Sequence, residues 1–137
     1  MKICEPAIYE KLNVLAPNAV FAMRAPDNQD GTFVVFQRVG SQRWRSINNP
    51  SGIAQADIQI DVYAESYYAA KTLAGSIENA LDGFSGTVYH GDNSPQDFVV
   101  IGGITLQNDV DILDQEDDPV LYRNSARYTV TYNQRET

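Results

Sequence analysis

Apolar and polar residues alternate along the segment from Ile53 to Tyr63. The even-numbered residues are apolar: Ala54, Ala56, Ile58, Ile60 and Val62. The odd-numbered residues are mainly polar: Gln55, Asp57, Gln59, Asp61 and Tyr63. A period of two is typical of a β-strand that buries one face. We therefore predict a strand whose polar face meets either water or a wet contact with another chain.

A helix is predicted directly after this strand. Apolar residues recur there at helical spacing: Ala70, Leu73, Ala74, Ile77 and Leu81. Ser66 is a suitable cap for the start, and Gly83 can adopt the left-handed conformation that ends a helix. A shorter helix is predicted near the amino terminus from three apolar residues between two prolines: Ile8, Leu12 and Leu15, after Pro6 and before Pro17.

The remaining pattern predicts further strands. They cover five segments: Val20 to Arg24, Thr32 to Val39, Gly86 to His90, Phe98 to Leu113 and Leu121 to Tyr132. Gly102 and Gly103 predict a bulge or bend that divides the fourth of these between different neighbours. Gly40 to Gly52 is typical of a long loop, with an extended hairpin as the alternative. The predicted fold class is α+β, a single mostly antiparallel β-sheet with two α-helices packed on one face.

Composition and charge limit the classes of protein that remain. The 137 residues, 43% of them hydrophobic, suit one domain spanning 1–137. The net charge of −8 argues against tight non-specific binding of nucleic acid. Cys4 is the single cysteine and no apolar run is long enough to cross a bilayer, so we expect a soluble protein made in a reducing cytoplasm.

Catalytic constellations are weak in this chain. His90, Asp92 and Ser94 lie within one predicted turn, where they cannot easily form a nucleophile relay. Cys4 lacks an evident base, so a structural role is expected for it. The acidic run from Asp109 to Asp118 has neither the central glycine nor the closing glutamate of a calcium-binding EF-hand loop, and a solvated acidic rim is expected instead.

The most suggestive exposed group is Arg43-Trp44-Arg45, in the predicted loop. Tryptophan and arginine are enriched where protein partners make their main contacts. Interleaved arginine and aromatic residues also occur in proteins that bind single-stranded nucleic acid, although the overall charge disfavours that interpretation. The structural alternative is that Trp44 folds back onto the sheet as a lid of the core.

Several segments together resemble the tail completion or tail terminator family of long-tailed bacteriophages. They comprise Phe33 to Val39, Pro50 to Ala64, the helix that ends in Ala80 to Gly86, and the closing segment Asp114 to Tyr132. The resemblance implies a structural virion protein of the neck, assembled in the host cytoplasm. Such a subunit closes into a ring, usually of six copies, on the head-proximal end of the tail tube. It stops tube growth and joins the tail to the head connector.

Residue roles follow as expectations. Arg43, Trp44 and Arg45 are expected to contact the tube, the connector or a neighbouring subunit. Asp57 and Asp61 are candidates to line a channel through which DNA passes without specific binding, because carboxylates repel phosphates. No catalytic residue, metal or cofactor is expected. Two alternatives remain: a small metal-dependent hydrolase or phosphoesterase that uses the Asp109–Asp118 cluster, and a dimeric small-molecule-binding module.

Overall fold

The structure, a computed structural model, describes residues 3–26, 29, 31–45, 50–91, 97–115 and 120–133, with backbone alone at 41–45, 50, 51 and 115. Within these ranges the chain forms two helices and six strands. In chain order they are α1 (Glu5–Leu15), β1 (Val20–Ala22), β2 (Phe33–Arg45), β3 (Pro50–Ala64), α2 (Tyr67–Leu81), β4 (Gly86–Tyr89), β5 (Phe98–Gln115) and β6 (Leu121–Asn133). No helix in these ranges is long and apolar enough to span a membrane.

The six strands form one sheet in the order β1-β2-β3-β6-β5-β4. Every neighbouring pair is antiparallel except β1 and β2, which are parallel. Both helices contribute to a single hydrophobic core with the sheet. The predicted α+β class, with a mostly antiparallel sheet and two helices on one face, is therefore confirmed.

The core lies between the helices and one face of the two central strands. The even-numbered apolar side chains of β3 are almost completely buried, as predicted. β6 contributes four more core residues: Ala126, Tyr128, Val130 and Tyr132. The opposite side of the sheet, called the second face below, carries the odd-numbered, mainly polar side chains of β3. The alternation in the sequence thus separates the helix-covered face from the second face.

Local signals explain where α2 begins and ends. The Ser66 hydroxyl accepts a hydrogen bond from the backbone N–H of Ala69 at 3.4 Å, which satisfies one of the free donors of the first turn. Gly83 has φ of +82°, so it takes the left-handed conformation that favours glycine. Its N–H donates to the Ile104 carbonyl at 2.8 Å, and the Asp82 carboxylate accepts from the backbone N–H of Leu106 at 2.9 Å. The end of α2 is thereby attached to the outer edge of β5.

The loop predicted for Gly40 to Gly52 is wrong at both of its ends. β2 continues to Arg45 and β3 begins at Pro50, so the two strands form the extended hairpin that was the alternative. Local composition favoured a loop, but pairing with the partner strand extends β2 beyond it. A register shift between Arg38 and Gly40 accommodates the extra residue Val39 as a bulge.

β5 is one continuous strand whose two parts have different neighbours, as predicted. Its first residues pair with β4 as far as Ile101, and from Ile101 onward it pairs with β6. A register shift between Ile101 and Gly103 marks the predicted irregularity. The strand extends to Gln115, beyond its predicted end at Leu113, and residues 116–119 lie outside the described part of the chain.

Candidate functional site

Arg43, Trp44 and Arg45 lie at the end of β2, not in a loop. Arg43 is opposite Ala54 and Arg45 is opposite Pro50, with Trp44 in the irregular register between these two pairs. Only the backbone is described at these three positions, so the role of Trp44 as a core lid is not tested. The structure places this basic aromatic group on a strand near the tip of the β2–β3 hairpin.

Asp57 and Asp61 both belong to the second face but differ in environment. Asp57 is partly buried, and its Oδ1 accepts a hydrogen bond of 2.8 Å from the Thr129 hydroxyl on β6. Asp61 is only 6% exposed, and its carboxylate accepts from the Gln59 amide at 3.0 and 3.3 Å. Asp57 is therefore the more accessible of the two carboxylates in this chain.

Asp57 borders a polar basin on the second face. The basin is open, has a volume of about 490 Å³, and is lined by Gln55, Asp57, Gln107, Asn108, Arg127 and Thr129. Gln107 is the extra residue of a register shift between Leu106 and Asn108 of β5. Sequence analysis missed Gln107, Asn108 and Arg127. The break of alternation at Leu106-Gln107-Asn108 was the signal that could have indicated a bulge there.

The second face changes character at its other end, where aromatic rings cover it. The rings of Phe33 and Tyr63 stack with centroids 4.8 Å apart, and Phe21 contacts Phe33 edge-on. The Arg123 guanidinium lies 5.8 Å from the Tyr63 ring centre and donates to its hydroxyl at 3.3 Å. One end of the face is thus polar and open, while the other is packed.

The described part of the acidic run is not a solvated rim throughout. Asn124, 2% exposed, donates to Asp109 at 3.2 Å and to Asp111 at 2.8 Å. Tyr67 and Lys71 of α2 also donate to Asp111, at 3.1 and 3.3 Å. The Asn124 hydrogen bond, together with those from Tyr67 and Lys71, holds the pKa of the Asp111 carboxyl below its ordinary value. These carboxylates join α2 to β5 and β6.

The described residues contain no group of three or more His, Cys, Asp or Glu side chains that could hold a metal ion. Three acidic residues of the predicted run, Glu116, Asp117 and Asp118, lie outside those ranges. Lys71 forms an ion pair with the Asp111 carboxylate, so a divalent cation would have to compete with the lysine for that carboxylate. The described geometry gives the hydrolase interpretation no assembled site.

The two potential nucleophile sites also lack a catalytic arrangement in the described residues. The Cys4 side chain is 0% exposed, and burial raises the pKa of its thiol far above the ordinary value, so a thiolate is strongly disfavoured. His90 follows β4, and its backbone N–H donates to the Asp97 carbonyl at 3.0 Å. Asp92 and Ser94 are outside the described ranges, so the relay with His90 is not tested.

Two open, mainly apolar grooves flank α1. One, of about 610 Å³, lies against α2 and includes Leu15, Leu73 and the exposed Tyr68. The other, of about 510 Å³, lies against β1 and β2 and includes Tyr9 and the exposed Met23. Sequence analysis did not predict either groove. They give the small-molecule alternative open surfaces, with few polar groups to orient a ligand.

Comparison with known proteins adds family and fold information. A family model described as "Tail completion protein gp17" matches residues 9–132. Among solved structures, a chain of the "Virion of native gene transfer agent (GTA) particle" is similar at 16% sequence identity, with a TM-score of 0.60. That similarity covers 92% of this chain and 91% of the other, and at this identity it shows a shared fold. No curated protein matches this chain.

Proposed function

Because this chain belongs to the tail completion protein gp17 family, and is therefore a structural protein of the bacteriophage tail, we propose that it forms a ring on the tail tube. The ring has six copies and lies on the head-proximal end of the tube. There it ends polymerisation of the tube protein and joins the tail to the head connector.

The family match is the observation that carries this proposal. It runs from Tyr9 in α1 to Tyr132 in β6, so it includes most of α1, all of α2 and nearly the whole sheet rather than one motif. The fold shared with a chain of a gene transfer agent virion supports a role in a phage-like particle. The protein would therefore act in the neck of the virion after assembly in the host cytoplasm.

The tip of the β2–β3 hairpin is the proposed contact with the tube, the connector or a neighbouring subunit. Arg43, Trp44 and Arg45 follow one another there on a strand that reaches beyond the β1 pairing. Residues of these two types supply most of the binding energy in many protein interfaces. Their position at the end of a long hairpin would allow contact without rearrangement of the core.

The open end of the second face is the proposed lining of the channel. Asp57 and the polar basin beside it present one carboxylate, several amide groups and the Arg127 guanidinium there, so the repulsion of phosphates rests on the net charge of −8 of each copy and not on the basin alone. With that net charge, DNA would slide past without specific binding. The proposal rests on Asp57, because Asp61 is covered within the subunit and would contribute to the field rather than to the surface.

The proposed role requires neither catalysis, a metal nor a cofactor. It is supported by the way the described carboxylates are used: Asp109 and Asp111 bind Asn124, Tyr67 and Lys71 of their own chain. A hydrolase that used this cluster would have to release Asp111 from the lysine. Stability that rises with added Ca²⁺, Mg²⁺ or Mn²⁺ would favour that alternative instead.

Tail assembly with and without the protein tests the proposal. Without it, we expect tubes of irregular, excessive length that do not join heads, and addition of the purified protein should restore both properties. Electron microscopy of the tails measures length and joining, and light scattering of the purified protein measures its mass. Normal, head-joined tails in its absence would contradict the proposed function, and a stable dimer would favour the binding-module alternative.

A further inference from the structure

One edge of the sheet is open along the second half of β2. β1 pairs with β2 only from Val34 to Phe36. Over residues 37–45 no strand in the described part of the chain covers this edge, and we call that segment the arginine edge. Its sequence contains Arg38, Arg43 and Arg45 and no acidic residue. An uncovered strand presents free backbone donors and acceptors, so it is a template for another strand.

The opposite edge of the sheet is open along the second half of β5. β4 covers this edge as far as Ile101, and the end of α2 covers it at Ile104 and Leu106. Over residues 107–115 no strand among the described residues covers it, and we call that segment the aspartate edge. It contains three acidic residues and no basic one: Asp109, Asp111 and Asp114.

The aspartate edge also exposes apolar surface. Val110 is 55% exposed and Leu113 is 49% exposed. Exposed apolar residues on a long open strand make aggregation probable unless a partner covers them. Lys71 balances part of the charge through its ion pair with Asp111, and Arg123 lies 3.7 Å from Asp114. Asp109 is held by the neutral Asn124 amide, so its negative charge is not offset by that contact.

We propose that the arginine edge of one subunit pairs with the aspartate edge of the next subunit, so that the sheet continues from copy to copy. This inference rests on the proposed ring and names the surfaces that close it. The two edges are complementary in charge, and strand addition supplies backbone hydrogen bonds along their length. Because the two edges differ, the contact is head-to-tail, which is the kind that generates rings.

The position of the two edges within the sheet is compatible with closure. Ser41, Ala56, Val130 and Ile104 form one row across β2, β3, β6 and β5. Ser41 is the central residue of the arginine edge, and Asp111 is the central residue of the aspartate edge. Asp111 lies seven residues after Ile104 on β5, and one of the residues between Ile104 and Asp111 is the bulge residue Gln107. The centres are therefore displaced by about six strand steps, or about 20 Å.

This displacement determines how the strands of neighbouring copies would be inclined. From β2 of one copy to β2 of the next there are four strand spacings, or about 19 Å. A shift of similar size along the strands corresponds to a tilt of about 45°, close to the tilt of about 35–45° found in closed β-barrels. A flat, untilted array would leave the two open edges at different heights and unable to meet.

Cysteine cross-linking tests the pairing. Gln42 and Val110 both belong to the second face by register, opposite Gln55 and Ser125 respectively. A protein with Gln42→Cys and Val110→Cys, bound to tail tubes and treated with a short bis-maleimide, should give a ladder of covalent oligomers. Each variant with only one of the two cysteines should give no covalent oligomer, because a head-to-tail contact brings Gln42 of one copy to Val110 of another. The native Cys4 is buried and should not react.

A matched control and a second design keep the test decisive. In the control, the second cysteine is placed at Thr105 instead of Val110. Thr105 is exposed on the same face but lies where α2 covers the edge, so the variant with Gln42→Cys and Thr105→Cys should give no ladder. A second mixture combines one variant carrying Arg43→Glu, Arg45→Glu and Val110→Cys with another carrying Gln42→Cys and Val110→Lys. Each variant then has one introduced cysteine on its unchanged edge, so the mixture should yield a covalent dimer, whereas either variant alone should yield none.

The outcomes separate this inference from the proposed function. Protein that caps tubes but gives no ladder with Gln42→Cys and Val110→Cys, and no dimer in the mixture, overturns the edge pairing and leaves the proposed function intact. Wild-type protein that does not bind tubes contradicts the proposed function. The same cross-linking, done on the free protein, then supports the edge pairing if the ladder forms and overturns it if it does not.

Discussion

The Thr129 hydroxyl donates a hydrogen bond of 2.8 Å to Oδ1 of Asp57 across the β3–β6 pair. Asp57 and Thr129 are directly opposite in register, so the bond requires no distortion of either strand. It holds the Asp57 carboxylate in one orientation at the border of the polar basin. The carboxylate proposed to line the channel is therefore positioned by a neighbouring strand.

Thr129→Val should lower the free energy of unfolding. The substitution keeps the shape of the side chain but removes the donor to Asp57, and loss of one such bond at a partly buried site costs about 1 kcal/mol. Urea unfolding followed by circular dichroism measures the change. Thr105→Val on the neighbouring strand is the control, since Thr105 is exposed, and equal losses in the two variants would contradict a specific role for the Asp57 bond.

Stability should depend on the ionisation of Asp111. Hydrogen bonds from Asn124, Tyr67 and Lys71 keep the pKa of its carboxyl below the ordinary value, so the folded state favours the charged form. This contribution is fully present above the ordinary aspartate pKa of about 3.9 and is lost as the pH falls through the lower pKa of the folded state. Urea unfolding at several pH values across that window should show a steeper loss for the wild type than for Asp111→Asn. Parallel curves would contradict the prediction.

Arg43→Ala with Trp44→Ala should weaken attachment to tails while the subunit stays folded. Both positions lie on the part of β2 beyond the β1 pairing, and Arg43 is opposite the core residue Ala54, so the folding of the variant is measured together with its attachment. Pelleting with tail tubes measures attachment, and circular dichroism measures folding. Arg24→Ala, an exposed arginine between β1 and β2, is the control and should attach normally. Normal capping by the double variant would exclude the hairpin tip as a contact site.

Asp57→Lys should slow DNA passage if the polar end of the second face lines the channel. A cation there attracts phosphates and would hold DNA that must move, without removing a core residue. The rate of DNA release from assembled particles measures the effect, with tail morphology confirmed by microscopy. Glu65→Lys makes the same change of charge at an exposed position between β3 and α2. Equal slowing by both variants would attribute the effect to net charge rather than to the channel.

Sequence patterns predicted the elements whose periodicity is regular. The alternation in β3 and β6 gave both the strands and their buried faces, and Ser66 and Gly83 gave the ends of α2. The extension of β2 to Arg45 was only the alternative to a loop, because Gly40 and its polar neighbours have low strand propensity on their own. Only pairing with β3 makes that segment a strand.

The contacts of Asn124 could not be predicted for a different reason. It occupies a nearly buried position in β6, and its partners Asp109 and Asp111 come from β5 through a register that includes two shifts before them. Each shift exchanges the faces of the residues that follow. The acidic run was therefore interpreted as a solvated rim, although Asp111, within it, binds α2 through Tyr67 and Lys71.

The attachment of α2 to β5 through Asp82 and Gly83 also limits how far a foreign strand can slide. Any strand added along residues 107–115 meets an occupied N–H at Leu106, so it cannot extend past that point. A sheet edge by itself tolerates slippage in steps of two residues, because such a slip preserves the faces. In the proposed ring, the carboxyl end of α2 would therefore keep an added strand from sliding past Leu106, so that each chain would itself restrict the angle between successive copies.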